Sequence, residues 1–278
     1  MLNHKLGLGT VQFGLPYGIS NTSGQTSAEE VSRILQTASE HSITVLDTAS
    51  AYGNAEAVIG KNNLQSFNIV SKYITPSPGN SIEEQLQQSV ENLQVKKLYG
   101  YLAHRPAEIL NDKEQWKILK EFQQKGLIQK IGFSLNTTEE LQTLLNKNFI
   151  PDLVQVPYNY LDNRFGTLMI DLKERGCEVH TRSAFLQGLF FKDINTLPSF
   201  FETVKPLIKK VQQQTKNISG SLLHFVASKP YIDKVIIGVD NAQQLLINIR
   251  DLKLGIELEK NTTAIPEQIL VPSNWPQQ

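Results

Sequence analysis

The chain has 278 residues, of which 40% are hydrophobic and 19% charged, with 27 Lys+Arg balanced by 27 Asp+Glu. That length suits one α/β barrel, and the neutral balance gives no electrostatic reason to expect nucleic acid or an anionic membrane as partner. Cys177 is the only cysteine, so no intrachain disulfide can form, and no apolar run approaches the ~20 residues that span a bilayer. The N-terminus, "MLNHKLGLGTVQFG", lacks the charged, apolar and small-residue steps of a signal peptide, so a cytoplasmic protein built on one core is expected.

In chain order, strand-like apolar runs are expected at 6–11 ("LGLGTV"), 43–47 ("ITVLD"), 67–72 ("FNIVSK") and 98–104 ("LYGYLAH"). Four more follow at 128–134, 152–158, 177–182 and 234–239. Helix-like runs alternate with them. The first, 27–41, opens on two capping-box spacings, Thr26 to Glu29 and Ser27 to Glu30, and carries Val31, Ile34, Leu35 and Ala38 on one stripe. A second starts near Ser81 and Glu84 with Leu86, Val90 and Leu93; a third starts at Thr137 and Glu140 with Leu141, Leu144 and Leu145. Eight such units predict an α/β chain with a parallel sheet closed into a (β/α)8 TIM barrel, residues 1–278 forming a single domain. An open doubly wound sheet is the alternative, but "GLGTVQFG" does not space its glycines as the Gly-x-Gly-x-x-Gly turn of that fold. Two regions leave the rhythm. One is a long loop at 183–218, with a helix expected near 199–213; the other is an irregular C-terminal tail at 256–278 with three prolines. Long loops at a barrel's end serve as lids or binding walls.

On that frame Asp47 closes the second strand, Lys72 the third and His104 the fourth, while Tyr52 lies just past the second. Enzymes of this fold build their sites at the C-terminal strand ends, so four side chains distant in sequence are expected to converge. Each type has a task. A phenol is by itself a weak proton donor at neutral pH. An ammonium ~4 Å away, at an effective dielectric of about 20, favours the phenolate by roughly 4 kcal/mol. The lysine needs a counter-charge to stay protonated when buried, and Asp47 supplies one. An imidazole beside the phenol can orient a carbonyl oxygen or pass a proton. Together these groups make an acid aimed at a carbonyl oxygen. None of them supplies a hydride, so an organic cofactor is implied.

"DTASAYGNAEAVIG", "IVSK" and "YLAHRP" are similar to the signatures of the aldo-keto reductase family, and the resemblance runs from "LGLGTVQFG" to "IIGVDNAQQLLIN" at 236–248. It implies a (β/α)8 barrel, a nicotinamide cofactor extended over its C-terminal mouth, and reversible carbonyl–alcohol conversion. By this match Tyr52 is the acid/base, Lys72 and Asp47 tune it, and His104 orients the substrate. Ser134 and Gln155 match the positions that hold the nicotinamide carboxamide, although Leu135 follows Ser134 where the family commonly has Asn. Arg182 stands where the family stacks an aromatic ring on the nicotinamide; a planar guanidinium can stack too, but its charge disfavours the oxidised, cationic ring. Ser183 to Gly188, Phe185 included, are expected to wrap the pyrophosphate, and Gly238, Asp240, Gln244 and Asn248 to meet the adenosine end. Family habit places NADP(H) ahead of NAD(H). The loop itself argues the other way, since Asp240 would repel a 2′-phosphate and no basic residue follows before Arg250.

"GTVQFGLPYGISN" and "RSAFLQGLF" resemble bacterial members associated with surface-sugar pathways, which implies a small-molecule carbonyl substrate such as a keto-sugar or nucleotide sugar. Pocket walls are expected from 15–25, 105–109, 158–165, 185–200 and the tail, with Tyr17 and Phe185 among the lining residues. Each choice has an ordinary alternative: Asp47 could cap a helix turn, Lys72 could be a solvated strand end, and Asp240 and Asn241 could only cap the last helix. Joint placement at one barrel face is what lifts the four. His4 and His41 are read as exposed or cap-adjacent, His180 and His224 as satisfied members of a strand and a helix. Tyr17, Tyr73, Tyr101 and Tyr158 are read as packing residues or pocket walls rather than acids, and Cys177 as an inert buried thiol. No His/Cys cluster has metal-ligand spacing, and no Gly-x-Ser-x-Gly marks a hydrolase. Two rival functions remain on the same barrel: a cofactor-sensing regulatory subunit, which a lost tetrad would mark, and an isomerase or lyase using Lys72 as a Schiff base.

Overall fold

The computed structural model describes residues 2–19, 21 and 24–276. Its eight strands are β1 Leu6–Gly9, β2 Val45–Asp47, β3 Asn68–Tyr73, β4 Leu98–Ala103, β5 Ile128–Ser134, β6 Leu153–Pro157, β7 Glu178–Arg182 and β8 Lys234–Gly238. They hydrogen-bond in sequence order as a closed barrel, β8 returning to β1 in parallel register. The open doubly wound alternative is thereby excluded. The main helices are α1 Ala28–Glu40, α2 Ala55–Ile59, α3 Ile82–Leu93, α4 Glu114–Gln124, α5 Thr138–Asn146 and α6 Gly166–Glu174, then α7 Lys205–Gln214, α8 Ile218–Ala227 and α9 Ala242–Leu252.

The caps fall where the side chains dictate. Ser27 accepts from Glu30 N at the start of α1, whereas Ser81 and Thr137 each close a full capping box with Glu84 and Glu140. On α1 the stripe Val31, Ile34, Leu35 and Ala38 is buried, and Leu86, Leu93, Leu141 and Leu144 are buried on α3 and α5. Val90 and Leu145 are only partly buried against the same core.

Because side chains alternate across a strand, residues two apart share a face. Val45, Val70, Leu102, Leu153 and Ile236 form one apolar cluster drawn from β2, β3, β4, β6 and β8. Two residues further along, on the same side, stand Asp47, Lys72, His104, Gln155 and Gly238. The apolar cluster is therefore a floor, and the polar residues above it face the C-terminal mouth. This parity turns five scattered sequence positions into one ring.

Lys72 lies one residue before the end of β3, and His104 lies just after β4. The backbone N–H of His104 still donates to Tyr73 O at 3.0 Å, so the residue remains tied to the neighbouring strand. The helix expected at 199–213 starts later, at Lys205, with Pro206 in its first turn. Ser199–Phe201 is a separate 3-10 turn, and Phe201 packs edge-on against Trp275 of the tail at 5.0 Å. Loop and tail thus share a second apolar cluster that includes Leu189, Phe190, Ile208, Leu258 and Leu270. Residues 20, 22 and 23 of the expected wall, and 277 and 278 of the tail, lie outside the described residues. Among the described residues no helix is long and apolar enough to cross a membrane, and no group of His, Cys, Asp or Glu could hold a metal ion.

Candidate active site

The loop after β2 sets the reacting centre. Thr48 N donates to Val70 O at 2.8 Å and Ser50 N to Lys72 O at 3.0 Å, continuing the β2–β3 ladder past the strand. Gly53 then turns the chain at φ 57°, a left-handed conformation that costs glycine little. A Cβ on Gly14 would sit 1.8 Å from Tyr52 O, so only glycine lets the turn Val11–Gly14 pack against this loop. Tyr52 is thereby held over the mouth by strands on one side and a helical turn on the other.

Lys72 is completely buried, and its ammonium has three protons to place. It donates to Asp47 Oδ2 at 2.8 Å and to Thr48 O at 2.8 Å, and reaches Tyr52 Oη at 3.5 Å. Burial works to lower its pKa, but Asp47 and Tyr52 outweigh that and hold it above the ordinary lysine value. The second oxygen of Asp47, Oδ1, accepts from Gln155 Nε2 at 2.6 Å, a contact 108 residues apart in the chain. His104 meets the Tyr52 ring edge-on, with centroids 6.0 Å apart. Burial above all, then the positive charge of Lys72, pushes its pKa down to about 4; Asp47 opposes this, and Arg182 and Arg105 add to it. The imidazole is therefore neutral across the physiological range. All four tetrad candidates converge.

A further carboxylate lies behind them. Glu56, on α2, is buried and accepts from Ser71 Oγ at 2.5 Å. Burial raises its pKa, against the hydrogen bond from Ser71 and the charge of Lys72.

Two cavities open onto this centre. The larger, about 620 Å³, is lined by Tyr52, His104, Ser134, Tyr17 and Arg105, and closed by Val271, Pro272 and Ser273 of the tail. The other, about 510 Å³, runs from Asp47 and Tyr52 past Phe185 and Gly188 to Gly238, Asp240, Gln244 and Asn248. Gln155, Arg182 and Ser183 line both. Of the ten expected cofactor residues, Ser134 alone faces only the larger cavity. Phe185 faces only the smaller one, where its ring meets Phe191, so it is not a wall of the cavity that Tyr17 shares with Ser134. Segment 158–165 supplies no lining residue to either cavity. Its apolar members turn inward, with Tyr160 and Leu161 in the second cluster, while Asp162 is clamped by Arg164 at 2.9 Å.

Arg182 is fixed in place: its guanidinium donates to Leu135 O at 3.0 Å, Asn136 Oδ1 at 2.6 Å and Ser183 Oγ at 3.3 Å. The asparagine missing after Ser134 is thus found one residue later, on this arginine. Asp240 both lines the smaller cavity and accepts from Gln244 Nε2 at 3.2 Å, while Asn241 caps α9. Residues the sequence reading left unassigned include Gln12 and Asn136. Gln12 Oε1 is buried without a partner, and its amide covers Gly238, where a Cβ would come within 2.5 Å. An unpaired buried acceptor, a glycine that leaves room for close approach, and left-handed turns at Ser183, Gln187 and Gly188 suit a dinucleotide cradle. An amide side chain between Val11 and Phe13 in "GTVQFG" was the available signal for Gln12.

Other expectations divide. His41 is the C-cap of α1, and Cys177 is buried with its thiol pushed up to about 12, chiefly by burial. Tyr73, Tyr101 and Tyr158 are buried. His180 and His224 are less satisfied than expected, because each leaves its Nδ1 buried without a partner.

The model of the aldo/keto reductase family matches residues 5–269. The methylglyoxal reductase DkgA of Escherichia coli K12 is 32% identical over 135 residues, 47% of this chain and 49% of its own length. The chain spans about half the length of the curated relatives it matches in this way. A holo aldo-keto reductase of Bacillus halodurans superposes with a TM-score of 0.72 at 20% identity, covering 96% of this chain and 90% of its own. One from Klebsiella pneumoniae, in complex with NADPH, gives 0.68 at 20% identity, covering 92% and 87%. The chain belongs to the aldo/keto reductase family.

Proposed function

We propose that the protein reduces the carbonyl group of a small molecule with NADPH or NADH, Tyr52 delivering the proton to the carbonyl oxygen. The observation that carries this reading is the fully buried Lys72 ammonium, shared among Asp47, Thr48 O and the Tyr52 hydroxyl. The nicotinamide cofactor, when bound, supplies the hydride that adds to the carbonyl carbon. Tyr52 gives its proton to the oxygen, and Lys72 stabilises the phenolate left behind until solvent returns a proton. Asp47 keeps Lys72 charged and Gln155 holds Asp47 in place. His104, neutral, can donate a hydrogen bond to the substrate oxygen without contributing a charge of its own. In this reading Ser134 and Gln155, which line the larger cavity, would bind the carboxamide, and the arc from Ser183 to Gly188 would bind the pyrophosphate.

The NADPH-bound relative supports NADP(H) as the cofactor. Asp240 favours a second reading, NAD(H), because an acid in the wall of the smaller cavity suits a ribose diol better than a phosphate. Fluorescence titration with both reduced cofactors separates the two: at least a tenfold tighter dissociation constant for one form decides it. A keto-sugar or nucleotide sugar remains the substrate expected from the family resemblance. The sensing-subunit alternative is not favoured, since the tetrad is complete. Neither is a Lys72 Schiff base, which requires a neutral amine where this one is paired and held protonated. Cofactor oxidation monitored against a panel of aldehydes and keto-sugars tests the proposal; cofactor binding without turnover of any of them would reverse the order of these readings.

A further inference from the structure

The larger cavity has a one-sided charge. Its described lining contains two arginines, Arg105 and Arg182, and no aspartate or glutamate. The nearest tetrad carboxylate, Asp47, lines the other cavity, with both its oxygens occupied by Lys72 and Gln155. His104 lies between chemistry and rim; being neutral, it leaves the two guanidinium charges unbalanced, and both contribute to keeping its own pKa low.

The two arginines differ in what they have left to offer. Arg182 is anchored by three hydrogen bonds to Leu135, Asn136 and Ser183, so it acts as a fixed charge in the wall. Arg105 directly follows His104 and lies exposed at the rim; its backbone carbonyl accepts from Glu108 N at 3.1 Å, but its side chain makes no hydrogen bond or ion pair with any described residue. Its planar fork of donors is thus available to a ligand, and a guanidinium binds carboxylate or phosphate oxygens in pairs. A cavity walled by like charges also focuses its field on entering ions.

Resting on the reductase reading above, we infer that the preferred substrate is a carbonyl compound bearing an anionic oxygen group, a carboxylate or a phosphate, which Arg105 binds while the carbonyl lies at Tyr52. Arg105 is a specificity-determining residue in this scheme, and Arg182 supplies the background field. Neutral carbonyl compounds can reach the same centre, but without the contact at the rim.

The test uses matched pairs: 4-carboxybenzaldehyde against 4-nitrobenzaldehyde, and glyceraldehyde 3-phosphate against glyceraldehyde, with the full chain and its reduced cofactor. The expected result is a kcat/KM about tenfold or more higher for the anionic member of at least one pair, expressed mainly in KM and shrinking as salt is raised. The pair showing the advantage tells carboxylate from phosphate. In Arg105→Gln the anionic-to-neutral ratio should fall to about one, and Arg105→Lys should restore part of it. Turnover of both members at equal kcat/KM, or a ratio that Arg105→Gln does not move, overturns the inference and leaves the reductase reading standing. If no aldehyde is turned over at all, the reductase reading fails. Calorimetric titration of the cofactor-loaded protein with 4-carboxybenzyl alcohol and 4-nitrobenzyl alcohol then decides the anion preference by itself, equal affinity counting against it.

Discussion

At the mouth of the barrel Asp47, Lys72, His104 and Tyr52 gather around one phenol; at the opposite end Glu178, Lys130, His180 and Tyr99 gather around one carboxylate. The functional groups are the same and the outcome is not. At the far end Glu178 takes every donor: Tyr99 Oη at 2.5 Å, His180 Nε2 at 2.6 Å, and the Lys130 ammonium. Burial works to raise the Glu178 pKa, but the hydrogen bonds from His180, Lys130 and Tyr99 win and hold it well below the usual carboxylate range. None of these four residues lines either cavity. At the mouth the carboxylate is already taken by Lys72 and Gln155, so the phenol keeps a face toward open space. Residue types therefore do not make a site; which of them sits at the hub, and whether that hub meets a cavity, decides it.

The comparison can be broken most sharply by removing one hydroxyl at each end. Tyr52→Phe should lower kcat by about 10²–10⁴-fold while cofactor affinity stays within about twofold. Tyr99→Phe should leave kcat near wild type and cost only stability, read as a lower Tm. Comparable turnover in the two variants would remove the distinction. Next in size are the lysines. Lys72→Met strands a buried Asp47 and should cost roughly 3–5 kcal/mol in urea unfolding. Lys130, whose side chain is 25% exposed, should cost about 1 kcal/mol or less when replaced by Met. Similar losses would mean that the mouth pair is as well solvated as the other.

Acid should undo the two ends in successive windows. His104 falls from its ordinary 6.5 to about 4 on folding, so its contribution is complete above 6.5 and lost as pH drops toward 4. That is on the order of 3 kcal/mol, and His104→Gln should flatten this part of the stability curve. Glu178, depressed below its ordinary 4.5, contributes above that value and is lost only at lower pH, where Glu178→Gln should matter instead. Denaturation midpoints between pH 7 and 3 read both limbs; a single shared limb contradicts the assignment. The smallest effect concerns Arg182. Replacing it by Tyr should improve the affinity of the oxidised cofactor relative to the reduced one by a few-fold, and an unchanged ratio removes its charge from the account.

The barrel was legible because its determinants are local: apolar runs at strand spacing, and Ser81 and Thr137 each three residues before a glutamate. The convergence of the four candidates was legible once strand ends were located, since parity places Asp47, Lys72 and His104 above one floor. What escaped were contacts made across the barrel or the loops. Gln155 reaching Asp47, Asn136 anchoring Arg182, and Gln12 over Gly238 join residues whose distance in sequence carries no periodic signal. Two segments at the mouth, the long loop and 158–165, were misread for one reason. Phe201 and Tyr160 serve a second apolar cluster, so the helix begins later than its apolar spacing suggests and segment 158–165 faces inward.

The arc after β7 has a consequence for anyone seeking a hardier version of this protein. Ser183, Leu186 and Gln187 all adopt left-handed backbone, at φ 65°, 45° and 53°, although none is glycine. Each such residue costs roughly 1 kcal/mol relative to a glycine in the same conformation. Selection for heat resistance should therefore find glycine at Gln187 early. Where the same residues also serve the cradle, each degree gained in melting would be traded against how firmly the arc keeps its shape.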